Sequence, residues 1–278
     1  MHKTPQQFAR VSSPSHQSAR VSKQSQQDEG RLAGILRALV PALIIALVIR
    51  TMLFQAVSIP SGSMQPALLI GDYLVVSKFT YGYSRYSLPF GPPLFSGRVF
   101  PALPQRGDII VFRSPTDVAA DLIKRTIGLP GDRIQIKGGL LHINGIPLRR
   151  ERIADFVGED LCSPVPGSGV IARVPRWRET LPNGVSYDTL ECPVTASDPD
   201  PDNTPVYEVP AEHFFMMGDN RHRSLNSRVL NDVGYVPFEN VIGRAQLVFF
   251  SVDEGDSAWQ VWRWPWSVRW SRLGTLVR

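Results

Sequence analysis

From Ala38 to Val57 the chain is almost wholly apolar, with Arg50 and Gln55 the clear exceptions. Twenty helical residues span roughly 30 Å, the thickness of a bilayer's hydrocarbon core. Arg50 is near enough to the C-terminal end of this segment to snorkel toward headgroups. A buried soluble helix or a cleaved secretory leader would share the composition. A leader, however, has a shorter apolar core and starts closer to the N-terminus. The segment therefore reads as one transmembrane helix over 38–57. Before it, residues 1–37 carry Lys3, Arg10, Arg20, Lys23, Arg31 and Arg37 against Asp28 and Glu29, in a background of Ser and Gln. Such a composition predicts a disordered basic tail. Basic flanks stay on the cytoplasmic side, so everything beyond Val57 is expected on the far side of the membrane.

The net charge of +5 makes a nucleic-acid partner worth considering. Only Phe8 supplies an aromatic ring in the tail, so bases have no stacking platform there, and no nucleic acid is expected. Both cysteines, Cys162 and Cys192, fall in the part expected to be exported. A disulfide between them fits an oxidising compartment. Two thiols fit the sequence as well, and the residues do not separate the readings. The five histidines, at 2, 16, 142, 213 and 222, are scattered, and no paired-cysteine spacing occurs. No metal is expected.

Beyond Val57 the pattern is mostly period-two and β-branched, punctuated by Gly and Pro. Tyr73–Phe79, Asp108–Phe112, Phe214–Met217 and Ala245–Phe250 read as strands. Arg133–Lys137 and Leu140–Ile143 flank Gly138-Gly139, a hairpin signal, and Asn144-Gly145 turns the chain again. Residues 83–104 read as loop. Residues 155–210 read as irregular and proline-rich, yet too long for one loop, which suggests a small inserted domain. Near the C-terminal end Trp259, Trp262, Trp264, Trp266 and Trp270 alternate with Arg263, Arg269 and Arg272. Tryptophan with arginine favours the headgroup layer of a membrane over a buried cluster.

Two runs carry candidate chemistry. Ile59-Pro60-Ser61-Gly62-Ser63-Met64 follows the apolar segment directly. Pro60 restricts the backbone, and Gly62 permits an unusual turn between two serines. Such a turn aims the Ser63 amide and the Ser61 hydroxyl at one point, which is what an oxyanion hole requires. In isolation the run is equally a plain polar loop. About sixty residues later, Lys124 stands among Leu122, Ile123, Thr126, Ile127 and Leu129. Burial disfavours an ammonium and can turn lysine into a base able to activate serine. A lysine on the outer face of a strand has the same neighbours. A histidine base is the competing reading, with His213 and His222 flanking Gly218-Asp219-Asn220.

The combination resembles bacterial type I signal peptidases, the leader peptidases. The resemblance is carried by Ser61-Gly62-Ser63-Met64-Gln65-Pro66 and by Arg106-Gly107-Asp108-Ile109-Ile110-Val111-Phe112. Ile123-Lys124-Arg125 with Gly128-Leu129-Pro130-Gly131-Asp132 follows, then Phe215-Met216-Met217-Gly218-Asp219-Asn220-Arg221 with Ser224, Ser227 and Arg228. It implies Ser63 as nucleophile, Lys124 as general base, and the Ser63 amide and Ser61 hydroxyl as oxyanion donors. It implies Ser224 as the hydroxyl that orients the lysine. Ile59, Leu68, Val111 and Ile123, with Val57, Pro60, Met64 and Leu122 beside them, are implied to line shallow apolar pockets. Shallow pockets suit the small residues that precede a secretory cleavage site. Asp219, Arg125, Asn226 and Arg228 are implied as supports. Asn226 departs from the family pattern, which often has an acid there to pair with the following arginine; a hydrogen bond could replace that pair, or Asp219 could serve Arg228 or Arg125.

The expected protein is mainly β: a signal-peptidase-like antiparallel catalytic domain over 58–133 and 211–278, a smaller β-rich insertion over 134–210, and one preceding transmembrane helix. The expected function is removal of signal peptides from exported preproteins at the outer face of a bacterial inner membrane, without a cofactor. The partners are signal peptides, lipid and, by proximity, the secretion translocon. A specialised pilus or conjugation maturation peptidase shares these motifs. A self-cleaving repressor would need a DNA-binding module before the serine. A non-catalytic membrane-anchored β module leaves the ordered motifs unexplained.

Overall fold

The computed structural model describes residues 34–35, 37–89, 91–159, 161–162, 170–192, 201–224 and 226–278. Most of the expected basic tail, 1–33 and 36, lies outside them. The chain divides between Ile49 and Arg50 into two units. In the first, residues 34, 35 and 37–48 are helical, and Leu43, Ile44, Leu47 and Val48 stand exposed. Among the described residues no helix is long and apolar enough to cross a membrane.

The helical segment ends earlier than its apolar composition suggests. One π-helical turn, Ile49–Leu53, leads into strand β1, Phe54–Ser58. The expected span over 38–57 is therefore corrected at its end. Phe54 to Ser58 pair residue by residue with Ser77 to Tyr73 of β2, Asp72–Ser77. A neighbouring strand edge satisfies these amides without a helix, and Gln55 fits the alternation of a strand.

The second unit is built on an eight-stranded sheet. Its order runs from β1 and β2 to β14, Val241–Ser251, then β3, Ile109–Arg113, and β4, Asp121–Gly128. It ends with β12, His213–Met217, and β13, Val236–Pro237, while β15, Thr275–Leu276, pairs with β14. A four-stranded sheet joins β11, Tyr207–Glu208, to β5, Arg133–Lys137, β6, Leu140–Ile143, and β7, Ile146–Pro147. Gly138 and Gly139 close the β5–β6 hairpin with φ of 53° and 74°. Positive φ at both central residues is what a tight hairpin of the right twist needs.

A third sheet of three strands contains β8, Arg149–Glu159, β9, Ile171–Thr180, and β10, Ser186–Leu190. The irregular reading of 155–210 is corrected here, because β8 and β9 are long regular strands. Pro175 and the arginines at 173, 176 and 178 concealed them. Pro175 falls at a register shift between Ile153 and Phe156 of β8, where its missing amide breaks no ladder bond.

Alternating faces of the main sheet build separate cores. Ile110, Phe112, Phe214, Met216 and Val241 pack on one side, and Ile59, Met64, Leu68, Leu74, Ile109 and Val248 form another cluster. Ile127, Phe215 and Met217 join Ile134, Leu141 and Tyr187, tying the main sheet to the two smaller ones. Phe214 is fully buried and meets the Phe238 ring at 5.8 Å. Phe214→Ala is expected to lower stability by about 3–5 kcal/mol through lost burial and a residual cavity. Urea unfolding should show the midpoint falling with an unchanged slope.

Candidate active site

Ser63 occupies a single 3-10 turn, Gly62–Met64, entered from an extended Ser61 at φ −132° and ψ 151°. The approach is pinned to β2: Ile59 donates to the Asp72 carbonyl at 2.8 Å, and Gly71 donates to the Ile59 carbonyl at 3.0 Å. Met64, fully buried, anchors the far side of the turn. Lys124 lies on β4 opposite Ile110 of β3. Its Nζ donates to Ser63 Oγ at 2.7 Å.

The two side chains meet in a dry place, Lys124 being 4% exposed and Ser63 7%. Burial disfavours the ammonium and lowers the Lys124 pKa to about 8, against the pull of Asp219 and Asp232 toward the charged form. Ser61 Oγ stands 3.3 Å from Ser63 Oγ, and the Ser63 carbonyl accepts from the Asn220 amide at 3.1 Å. A Cβ on Gly218 would come within 2.2 Å of Ser224 Oγ and 2.4 Å of the Ser63 carbonyl. Only glycine lets the Ser224 hydroxyl and the Ser63 backbone close on one spot. The histidines are engaged elsewhere: His222 contacts the Cys192 carbonyl at 2.5 Å and Asp202 at 3.2 Å, and His213 the Ala211 carbonyl at 2.7 Å.

Arg125, next to the lysine, is fully buried and forms two bonds to Asp219, at 2.8 and 2.6 Å. It also donates to the Gly107 carbonyl at 2.9 Å and lies 4.3 Å from the centre of the Tyr187 ring. Asp219 thus serves Arg125. Arg228 donates through Nε to Asn226 Oδ1 at 3.0 Å, so a hydrogen bond stands where the family pattern has an ion pair.

Of the expected pocket residues, Val57, Val111 and Ile123 share one apolar cluster. Ile59, Met64 and Leu68 form the next, and Ile123 touches both. Met64, Leu68, Ile59 and Val111 are buried, whereas Val57 and Ile123 are partly exposed. Leu122 packs instead with Ile110 and Phe112 on the other side of the sheet, and Pro60 is exposed. Strand β12 pairs with β4 only from Arg125 onward, so Leu122 to Lys124 keep a free strand edge among the described residues.

Sequence reading alone missed a buried network behind the site. Tyr187 Oη and Arg221 both donate to Glu179, at 2.9 and 2.5 Å. Cys162 and Cys192 are joined in a disulfide, and the neighbouring Leu161 carbonyl accepts from the Asn220 side chain at 3.1 Å. The disulfide decides between the two readings left open for these cysteines. The Arg221 and Asn220 contacts had no local signal, because their partners are distant in sequence, whereas Tyr187 faces Glu179 across one hairpin.

The profile of the family described as signal peptidase, peptidase S26, matches residues 32–250. The chain belongs to this family. It is 44% identical to signal peptidase I of Rickettsia typhi over 212 residues, covering 74% of this chain and 76% of the relative. Against signal peptidase I of Rickettsia prowazekii the identity is 43% with the same coverage. The crystal structure of a signal peptidase I from Enterococcus faecalis is 28% identical, over 51% of this chain and 97% of that one, at a TM-score of 0.28. An overlap of that size says nothing about the fold.

Within this S26 peptidase the Arg125–Asp219 pair invites a direct test. Asp219→Asn keeps the shape but leaves a buried guanidinium without its counter-charge. Losing one partner of such a pair is expected to cost about 3–5 kcal/mol, read as a drop in the denaturant midpoint.

Proposed function

We propose that this chain is a serine endopeptidase that removes N-terminal signal peptides from exported preproteins, with Ser63 as nucleophile and Lys124 as general base. The reading rests above all on the 2.7 Å contact between Lys124 Nζ and Ser63 Oγ, both buried, in a chain of the S26 family. The neutral amine takes the Ser63 proton while Oγ attacks the scissile carbonyl. Charge that develops on the carbonyl oxygen meets the Ser63 amide and the Ser61 hydroxyl. Lys124 then returns the proton to the leaving amine, giving an acyl-enzyme. Water, activated by the same lysine, releases the signal peptide. Ser224 orients the amine, and no cofactor takes part.

The substrate is expected to lie extended along the free edge of Leu122–Lys124, exchanging backbone hydrogen bonds. Its small residues before the cut sit over Ile59, Val57, Val111 and Ile123. The proposed location is the outer face of a bacterial inner membrane, near the translocon, with the apolar stretch before β1 as single-pass anchor and the N-terminus cytoplasmic. Trp259, Trp262, Trp266 and Trp270, all exposed, support lipid contact at the other end of the chain.

Ser63→Ala and Lys124→Ala should remain folded and lose at least about a thousandfold in kcat/KM on a preprotein, the scale of an activated nucleophile and its base. Full processing by either variant would sink the dyad. Because the base must be neutral, kcat/KM should climb about tenfold per pH unit below the Lys124 pKa of about 8 and level off above it. A midpoint set by His222, abolished in His222→Ala, would transfer the role to histidine.

The same burial predicts a stability effect. Lys124 loses its proton near pH 8 when folded, against 10.5 as the ordinary value, so the folded state binds fewer protons between those limits. Stability from this group therefore rises with pH across that window, and below it the full cost of the buried ammonium applies. Lys124→Met should be inactive yet more stable at pH 7, by up to about 3 kcal/mol. Thermal unfolding at pH 7 and pH 10.5 should show that advantage shrinking at the higher pH.

A further inference from the structure

Two clefts border the turn that follows the nucleophile. One, of about 560 Å³, runs from Gln65 and Ile70 to the 253–269 region. Its charges are matched in pairs: Arg269 with Asp253 at 3.0 Å and Arg263 with Asp256 at 2.6 Å. The other, of about 640 Å³, begins at Pro66 and Ala67, and its far wall is the sheet of β8 to β10. That wall carries Arg176 and Arg178, and Arg278 lines the same cleft.

The charges of this second wall are not matched. Arg178 Nε lies 2.9 Å from Asp188, and Arg176 Nη1 lies 3.8 Å from the same carboxylate. Two guanidinium groups therefore share one acid. Glu151 stands across the ladder from Arg178, but Arg149 shares its strand face two residues away. Arg125 also borders the cleft, with its charge spent on Asp219. Phe156, on the rim of both clefts, adds an apolar surface between them.

Position gives this charge a use. Val57, Ile59 and Ile123 lie before the nucleophile turn and on the free edge of β4. The arginine-walled cleft begins at Pro66 and Ala67, three and four residues beyond Ser63, whereas Val57 and Ile59 precede it. A peptide with its residues before the cut over Val57 and Ile59 would send its later residues toward that cleft. We propose that Arg176 and Arg178 form a subsite for an acidic side chain in the first few residues after the scissile bond. The proposal rests on the endopeptidase reading above and adds to it a preference on the product side of the cut. A carboxylate there meets two forked donors, and a lysine meets like charge. Exposed charge pairs are individually weak, so the preference is graded and falls with salt.

The test uses the full chain in neutral detergent, with peptides identical up to the cut. Each of the first five positions after it carries Ser, Asp or Lys in turn. At one or two adjacent positions Asp should exceed Ser in kcat/KM by roughly three- to tenfold at low ionic strength, with Lys below Ser. The Asp-to-Lys ratio should shrink in 0.5 M NaCl, approach one in Arg176→Gln/Arg178→Gln, and invert in Arg176→Glu/Arg178→Glu. The wild-type scan carries the result even if a variant folds poorly. Cleavage of every peptide at equal rates overturns the subsite while leaving the endopeptidase reading intact. Failure to cut any of them removes that reading instead. A flat scan together with loss of sedimentation on phosphatidylglycerol vesicles in the Gln variant assigns the arginines to lipid, and the subsite falls.

Discussion

The proposed activation of Ser63 by Lys124 depends on keeping one amine dry and short of counter-charge. Lys124 satisfies the first requirement through its strand, with Ile110 opposite it on β3 and the Ser63 turn over its head group. The second is harder, because the nearby carboxylate of Asp219 favours the ammonium. Asp232 pulls the same way, and burial outweighs both, so the Lys124 pKa still falls to about 8. Arg125 holds both oxygens of Asp219 in a fork, which fixes that carboxylate in place beside the lysine's own strand.

That arrangement hands control of the site to the three-stranded sheet. Tyr187 of β10 lies on the face of the Arg125 guanidinium, and Glu179 of β9 receives Arg221 just beyond the Asp219-Asn220 turn. Leu190 donates to the Asp219 carbonyl at 2.9 Å and accepts from Arg221 at 2.9 Å. Asn220 completes the link, holding the Ser63 carbonyl with its backbone and the Leu161 carbonyl, beside the disulfide, with its side chain. The three-stranded sheet therefore braces the Asp219-Asn220 turn, and through Asn220 the Ser63 carbonyl.

What could be read in advance followed the range of the interactions. Strands β2, β3, β12 and β14 and the Gly138-Gly139 hairpin show in local alternation and turn chemistry, which need only neighbours in sequence. Strands β8 and β9 did not, because Pro175 and closely spaced arginines imitate a loop until a partner strand supplies the bulge. The end of the apolar helix escaped for a related reason: Phe54 to Ser58 are as apolar as a membrane segment, and only the edge of β2 makes them a strand. Ser63 and Lys124 stood out through resemblance, since an isoleucine-flanked lysine is by itself an ordinary surface residue. Gly218, Tyr187 and Glu179 carried no local signal, their importance arising from contacts across sheets.

Asn226 shows how a departure from a family pattern can be sound in its own structure. Its Oδ1 accepts from both the backbone amide and Nε of Arg228 at 3.0 Å, while its Nδ2 donates to the Ser224 carbonyl at 2.7 Å. A carboxylate could make the first two bonds more strongly but has no proton for the third. The amide therefore exchanges charge pairing at Arg228 for a direct hold on the backbone of Ser224, whose hydroxyl lies against Gly218 beside the Ser63 carbonyl. Arg228 bears the consequence: burial first, and then Arg221, lower its pKa to about 10, with the Pro201 and Arg221 carbonyls accepting from its guanidinium. An arginine still charged at neutral pH tolerates that loss, whereas the role proposed for the Ser224 hydroxyl, orienting the lysine amine, tolerates little displacement.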